Sequence, residues 1–75
     1  MSKPTRITNS IRGLRFARGE MTQAELAQRI GVTRQTIIAI EQGRYSPSLE
    51  VAFQIARLFK VPLDEVFQYP DGESR

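Results

Sequence analysis

The fold of this chain is decided by residues 22–43, which read TQAELAQRIGVTRQTIIAIEQG. Thr22 and Glu25 match a capping box, in which each side chain accepts a hydrogen bond from the other residue's backbone amide at the start of a helix. Gly31 predicts the end of that helix, because glycine adopts the left-handed conformation without strain. Thr33 can cap a second helix only two residues later. The stretch therefore predicts two short helices joined by a tight turn, the pattern of a helix-turn-helix.

The apolar residues of this stretch recur three or four positions apart, as one buried helix face requires. Ala27 is small at the point where the two helices approach each other. An αα-hairpin would share the glycine turn, but it would not require this small residue together with buried residues at the same spacing. The expected buried set is Leu26, Ala27, Ile30, Val32, Ile37 and Ile40.

One helix is predicted before this stretch. It begins near Thr8 or Asn9, either of which can cap it, and runs to Arg18. Residues 6–8 alternate in character, and residues 67–69 are too short and too aromatic for more helix. The two segments are therefore expected to pair as a minimal β ladder.

Two helices are predicted after the stretch. Ser46 is the expected cap of a fourth helix with Pro47 in its first turn, and residues 62–67 fit a short fifth helix. The expected fold class is all-α, with five helices and a possible minimal β pairing of the termini. Residues 1–75 are expected to form one domain, with a core over about 8–69.

The fourth helix is apolar over most of its girth, with two adjacent stripes. The first stripe is expected to enter the core, and it consists of Leu49, Ala52, Phe53, Ala56 and Phe59. The second stripe, Val51, Ile55 and Leu58, is expected to be covered either by the final segment of the same chain or by a partner subunit. Together with Leu63, Val66 and Phe67, it is the candidate dimer interface.

Composition narrows the chemistry that is open to the chain. The 75 residues include no His and no Cys, which excludes disulfides, thiolate and imidazole catalysis and most zinc sites. There is also no Gly-rich phosphate loop, and the carboxylates are dispersed. We therefore expect no enzymatic activity, no metal and no cofactor. The N-terminus has no apolar signal region and no stretch is long enough to span a membrane, so a cytoplasmic location is expected.

The charge of the chain is unevenly distributed. Residues 1–44 hold eight basic and three acidic side chains, a net charge of +5, whereas residues 45–75 hold three basic and five acidic ones, a net charge of −2. Nine of the eleven basic residues are Arg, whose planar fork suits phosphates and guanine edges. The basic part therefore favours a polyanionic partner, although a solvated surface would have the same composition.

Four segments of the chain resemble the lambda-repressor-like, Cro-type family of DNA-binding regulators, also called the xenobiotic-response-element (XRE) family. The resemblance covers about residues 10–68, and its signature segments are 22–27, 31–37, 40–44 and 46–49. It implies a five-helix domain that binds double-stranded DNA through the helix-turn-helix of residues 22–43. Several small members of the family are homodimers, some with β pairing of the termini.

If the third helix lies in the major groove, its N-terminal residues and its outward face reach base edges. Arg34 is suited to guanine and Gln35 to adenine, while Thr36, Ile38 or Ala39 can contact a thymine methyl group. Ile38 is equally suited to packing against the preceding helix. The alternative is that these residues only form a solvated helix face.

Phosphate contacts are expected at helix N-termini and at nearby arginines. The resemblance places Gln23 and Thr33 at phosphate positions, and Thr33 can cap its helix at the same time. The arginine candidates are Arg44, Arg12 and Arg18, for each of which surface solubility is the alternative.

The resemblance also implies an ion pair between Arg15 of the first helix and Glu41 of the third. This pair would tie the third helix to the scaffold and would not contact DNA. The loop 19–21 is one residue longer than in shorter family versions, which makes the position of Arg15 less secure than that of Glu41.

The leading functional hypothesis is a sequence-specific transcription regulator, a repressor that binds a palindromic operator as a homodimer. The alternative is an antitoxin-type autoregulator that binds a partner protein. That function usually needs an added segment, and six residues after Tyr69 leave little room for one.

Overall fold

The computed structural model describes residues 5–44 and 46–70. In chain order the elements are β1 (Thr8–Asn9), α1 (Ile11–Ala17), α2 (Gln23–Ile30), α3 (Arg34–Glu41), α4 (Leu49–Phe59), α5 (Leu63–Val66) and β2 (Phe67–Gln68). The five helices and the two-stranded pairing confirm the expected fold class. None of the helices in these two ranges is long enough to cross a membrane.

The core lies where α1, α2, α3, α4 and α5 meet. Its largest fully buried side chains come one from each helix: Ile11, Leu26, Ile37, Ile55 and Val66. All six residues that the periodicity of 22–43 selects are buried or half-buried. One small apolar core thus fixes the position of α3 relative to the other four helices.

The β ladder begins at Thr8, two residues after Arg6, where it was expected to begin. β1 and β2 are antiparallel, with Thr8 opposite Gln68 and Asn9 opposite Phe67. The first helix therefore begins at Ile11 and not at Thr8 or Asn9, because these two residues are extended in the ladder. The backbone amide of Ser10 donates to the carbonyl of Val66 at 2.8 Å, which continues the pairing to the start of α1.

The start of α4 differs from the sequence prediction. Ser48, not Ser46, is the N-cap, and its hydroxyl accepts a hydrogen bond from the Val51 amide at 3.1 Å. The Ser46 hydroxyl instead donates to Thr5 Oγ1 at 3.0 Å. Pro47 therefore precedes the helix and does not occupy its first turn. Similarly, Pro62 flanks α5, which begins at Leu63.

The buried face of α4 is also rotated from the expected one. Ala52, Ile55, Ala56 and Phe59 face the core, whereas Leu49 is 69% exposed and Phe53 is 49% exposed. Leu49 and Phe53 were wrongly assigned to the core, because the inward face of α4 lies opposite its exposed polar residues Glu50, Gln54 and Arg57. That face includes Ile55 of the second stripe, which is covered within the same chain, one of the two alternatives for that stripe.

Candidate nucleic-acid interface

The turn between α2 and α3 is fixed by side chains at both helix starts. The Thr22 amide donates to Glu25 Oε1 at 2.9 Å and the Glu25 amide donates to Thr22 Oγ1 at 3.0 Å, so the expected capping box is present. Gly31 has a φ of 80°, which favours glycine. Thr33 Oγ1 accepts from the Thr36 amide at 3.1 Å and begins α3. The two helices are therefore set by local hydrogen bonds as well as by the core.

The outward face of α3 carries the five residues that were predicted to read bases. Arg34 and Gln35 are exposed at its N-terminal end, whereas Thr36, Ile38 and Ala39 are half-buried. The Thr36 hydroxyl lies 3.0 Å from that of Thr33, so it already has a partner within the chain. The face thus offers a guanidinium and an amide to solvent, with smaller or apolar groups beside them.

The C-terminal end of α3 is held by an ion pair with α1. Arg15 Nε lies 2.7 Å from Glu41 Oε2, and Arg15 Nη2 donates to Glu41 Oε1 at 3.1 Å. Arg15 Nη1 also donates to the carbonyl of Met21 at 2.9 Å. Arg15 is 6% exposed, and among the described residues no buried side-chain polar atom lacks a partner. The additional residue in loop 19–21 does not prevent this pairing.

Gln23, a predicted phosphate ligand, is part of the same network. It is the first residue of α2, and its Nε2 donates to Glu41 Oε1 at 3.2 Å. The contact spans 18 positions in the sequence, and neither residue alone indicates it. The side chain at the start of α2 is thereby oriented by Glu41 of α3.

The other candidate phosphate ligands are exposed. Arg12 lines the same surface groove as Gln23 and Arg34, between α1, the start of α2 and α3. Its guanidinium lies 5.5 Å from the centre of the Phe16 ring, close enough for a cation–π contact. Thr33, Arg18 and Arg44 are exposed at helix boundaries, at the start of α3 and just after α1 and α3.

The six residues assigned to the dimer interface separate into two groups. Ile55 and Val66 have no exposed surface, so both are part of the core of one chain and have no area for a partner. Val51, Leu58, Leu63 and Phe67 are half-buried and pack against that core. Sequence-based prediction missed Leu49 and Phe53, the exposed large apolar residues of α4.

Asn9 is a further residue that sequence-based prediction did not place at the site. Its side chain donates from Nδ2 to the carbonyls of Ile40 at 3.0 Å and Glu41 at 3.4 Å, the last two residues of α3. Its Oδ1 accepts from the Ile11 amide at 3.2 Å. The sequence indicates only this local bond, because the carbonyls are more than 30 residues away.

The comparison with known families agrees with this geometry. A family model described as Helix-turn-helix matches residues 14–66, which include α2 and α3 in full. This chain belongs to the Cro/cI-type, XRE-like helix-turn-helix family of transcriptional regulators. The family consists of DNA-binding regulators and is not an enzyme family.

Individual relatives of this helix-turn-helix family support the same assignment. An uncharacterized HTH-type transcriptional regulator of Methanocaldococcus jannaschii is 55% identical over 53 residues, which cover 71% of this chain and 80% of the relative. The cryptic phage CTXphi transcriptional repressor RstR of Vibrio cholerae is 39% identical over 59 residues, 79% of this chain and 52% of RstR.

A solved structure from Bacteroides fragilis has the same fold. It superposes with a TM-score of 0.70 at 24% identity and covers 83% of this chain and 98% of its own. At this identity the likeness concerns the fold.

Proposed function

We propose that this protein is a sequence-specific repressor that binds a palindromic DNA operator as a homodimer. The observation that carries the proposal is the geometry of α3. Its N-terminal end exposes Arg34 and Gln35, while its C-terminal end is anchored by the buried Arg15–Glu41 pair. A short helix with exposed base-reading groups and a fixed orientation is what the major groove requires.

The dimensions and the side chains of α3 both support base recognition. Eight residues form a helix about 12 Å long, and the major groove is about 12 Å wide. In this arrangement Arg34 donates to a guanine edge, Gln35 pairs with adenine, and Ala39 contacts a thymine methyl group. Each bidentate contact is worth about 1–3 kcal/mol against the wrong base. Thr36 and Ile38 border the same contact.

Phosphate binding orients the domain without selecting sequence. We propose that Gln23 and Thr33 contact one backbone through the N-termini of α2 and α3, where amides and the helix dipole favour anions. Arg12, Arg18 and Arg44 add positive charge around this surface. The net charge of +5 over residues 1–44 agrees with a polyanionic partner on this side.

The dimer surface that we propose combines one flank of α4 with α5 and β2. Leu49 and Phe53 are four residues apart and exposed, and the half-buried Leu63 and Phe67 belong to the segment that packs against α4. Leu58 lies on the other flank, where it shares a shallow pocket with Arg29 and Ile30 of α2. Val51 is seven residues from Leu58 and therefore shares that flank.

Repression is the direction of regulation that the relatives favour, because RstR is a transcriptional repressor. A dimer seated on an operator needs no catalytic group, and we propose binding without enzymatic activity. We further propose that the protein acts in the cytoplasm, where a bacterial or archaeal chromosome lies.

A selection from random duplexes with the purified chain tests the proposal. At about 150 mM salt we expect an inverted repeat whose half-site centres lie about 34 Å apart, one turn of DNA. A recovered pool without any common sequence would contradict sequence-specific recognition and leave a purely electrostatic binder.

A further inference from the structure

Asn9 joins the start of α1 to two segments that are distant from it in sequence, β2 and the end of α3. Its backbone belongs to β1 and lies opposite Phe67 of β2. Its Oδ1 accepts from the Ile11 amide at the start of α1, and its Nδ2 donates to the carbonyls of Ile40 and Glu41. One half-buried residue therefore links the ladder through its backbone to the start of α1 and the end of α3 through its side chain.

The carbonyls that Asn9 contacts are groups that need a partner. The last carbonyls of a helix have no amide one turn further along to bond with. The Ile40 carbonyl also accepts from the Gly43 amide at 3.1 Å, and a carbonyl oxygen can accept two bonds. The side-chain amide of Asn9 thus supplies hydrogen bonds to the last carbonyls of α3 from outside the helix-turn-helix.

We propose that Asn9 is a positioning residue for DNA recognition, which fixes the tilt of α3 by joining its C-terminal carbonyls to the β1–β2 ladder. This inference rests on the proposed function, in which α3 reads DNA. Arg15 holds the same end of α3 through the Glu41 side chain, and Asn9 holds it through the backbone. Two attachments at one end restrict rotation of the helix as well as its displacement.

A small movement of this end matters for base reading. The helix is about 12 Å long, so a tilt of about 10° displaces its far end by about 2 Å. Recognition groups need placement within about 0.5 Å. Loss of the Asn9 contact is therefore expected to weaken contacts from Arg34 and Gln35 more than contacts to the phosphates, since phosphate ligands on long side chains can adapt.

The first test measures DNA affinity with Asn9→Asp and Asn9→Ala. Asn9→Asp keeps the acceptor for Ile11 but places a carboxylate against two carbonyls at the negative end of α3. We expect the ratio of operator to random-duplex affinity to fall about tenfold in Asn9→Asp and about fivefold in Asn9→Ala. Ser10→Ala is the matched control, because the Ser10 hydroxyl contacts Gln68 and not α3.

If Asn9 had a purely structural role, its loss would lower the affinities for operator and for random duplex by the same factor. An unchanged ratio of these two affinities in folded variants therefore overturns the proposal. Circular dichroism establishes that each variant is folded. If Asn9→Asp does not fold, Asn9→Ala provides the same measurement without the added charge.

The second test needs no DNA, so it separates this inference from the proposed function. We expect hydrogen exchange of the Gln42 and Gly43 amides to accelerate about fivefold in Asn9→Ala, while exchange in α2 stays unchanged. Unchanged exchange at the end of α3 would overturn the inference even if the wild-type chain reads DNA. Wild-type binding without sequence preference, together with accelerated exchange, would contradict the proposed function alone.

Discussion

Glu41 connects the end of α3 to α1, α2 and β1. Its carboxylate accepts from Arg15 and Gln23, and its backbone carbonyl accepts from Nδ2 of the Asn9 side chain at 3.4 Å. Glu41→Ala would leave the Arg15 charge buried without its partner. We expect the free energy of unfolding to fall by about 3–5 kcal/mol, measured by urea denaturation.

The double variant Arg15→Met/Glu41→Leu is the control for this prediction, because it removes both charges and keeps apolar volume. It should be more stable than Glu41→Ala. A loss below about 1 kcal/mol in Glu41→Ala would show that the pair behaves like an exposed ion pair.

Gln35 and Arg44 are both exposed, but different effects on DNA binding are expected for them. Gln35→Ala should relax preference at one base pair of each half-site and leave random-duplex affinity unchanged. Arg44→Ala should weaken all duplexes alike and lower the salt slope by about one. Titrations at several salt concentrations separate the two, and a base-specific effect of Arg44→Ala would contradict its assignment to phosphate.

Residues with local partners could be predicted from the sequence. Thr22, Glu25, Gly31 and Thr33 act within four positions of themselves, so adjacent residue types determine their geometry. The contacts of Gln23 and Asn9 depend on how distant helices pack, and no local pattern encodes them. The approximate positions of the five helices followed from caps and periodicity. The inward face of α4 was predicted from its longest apolar stripe, whereas it lies opposite the exposed Glu50, Gln54 and Arg57.

At the level of elements, the beginning of α4 gives a direct test of capping. Ser48→Ala removes the hydroxyl that accepts from the Val51 amide, and we expect a loss of about 1 kcal/mol in the free energy of unfolding. Ser46→Ala is the matched control two residues earlier, with a smaller expected loss because its hydroxyl contacts Thr5 at the surface and does not cap α4. The reverse order of the two losses would place the cap at Ser46, as the Ser-Pro pattern alone suggests.

The short ladder gives the helical domain a connection between its two ends. β1 precedes α1 and β2 follows α5, so pairing of Asn9 with Phe67 joins the first and last elements of residues 5–44 and 46–70. Phe67 of β2 belongs to the proposed dimer surface, and its ladder partner Asn9 contacts the end of α3. One residue pair therefore connects that surface to α3. Dimer formation and placement of α3 are thus expected to be coupled.

For the whole molecule, the distribution of charge and apolar surface indicates two working sides. Residues 1–44, which include α1, α2 and α3, carry a net charge of +5, whereas residues 45–75, which include α4 and α5 with exposed Leu49 and Phe53, carry a net charge of −2. A dimer formed through α4 and α5 would leave both recognition helices available to one duplex. The two half-sites then contribute to affinity together, as linked binding events do.

Phe53→Asp tests this arrangement. A carboxylate is tolerated at this exposed position of a monomer, but it is disfavoured when a partner subunit covers it with apolar residues. We expect sedimentation to show a monomer where the wild type is a dimer, with unchanged helix content and operator affinity lowered at least tenfold. Gln54→Asp, the exposed neighbour, is the control and should remain dimeric; Leu58→Asp reports on the other flank of α4. A Phe53→Asp variant that stays dimeric would place the interface elsewhere. If the wild type is a monomer and copurifies with another protein, the antitoxin-type alternative is favoured.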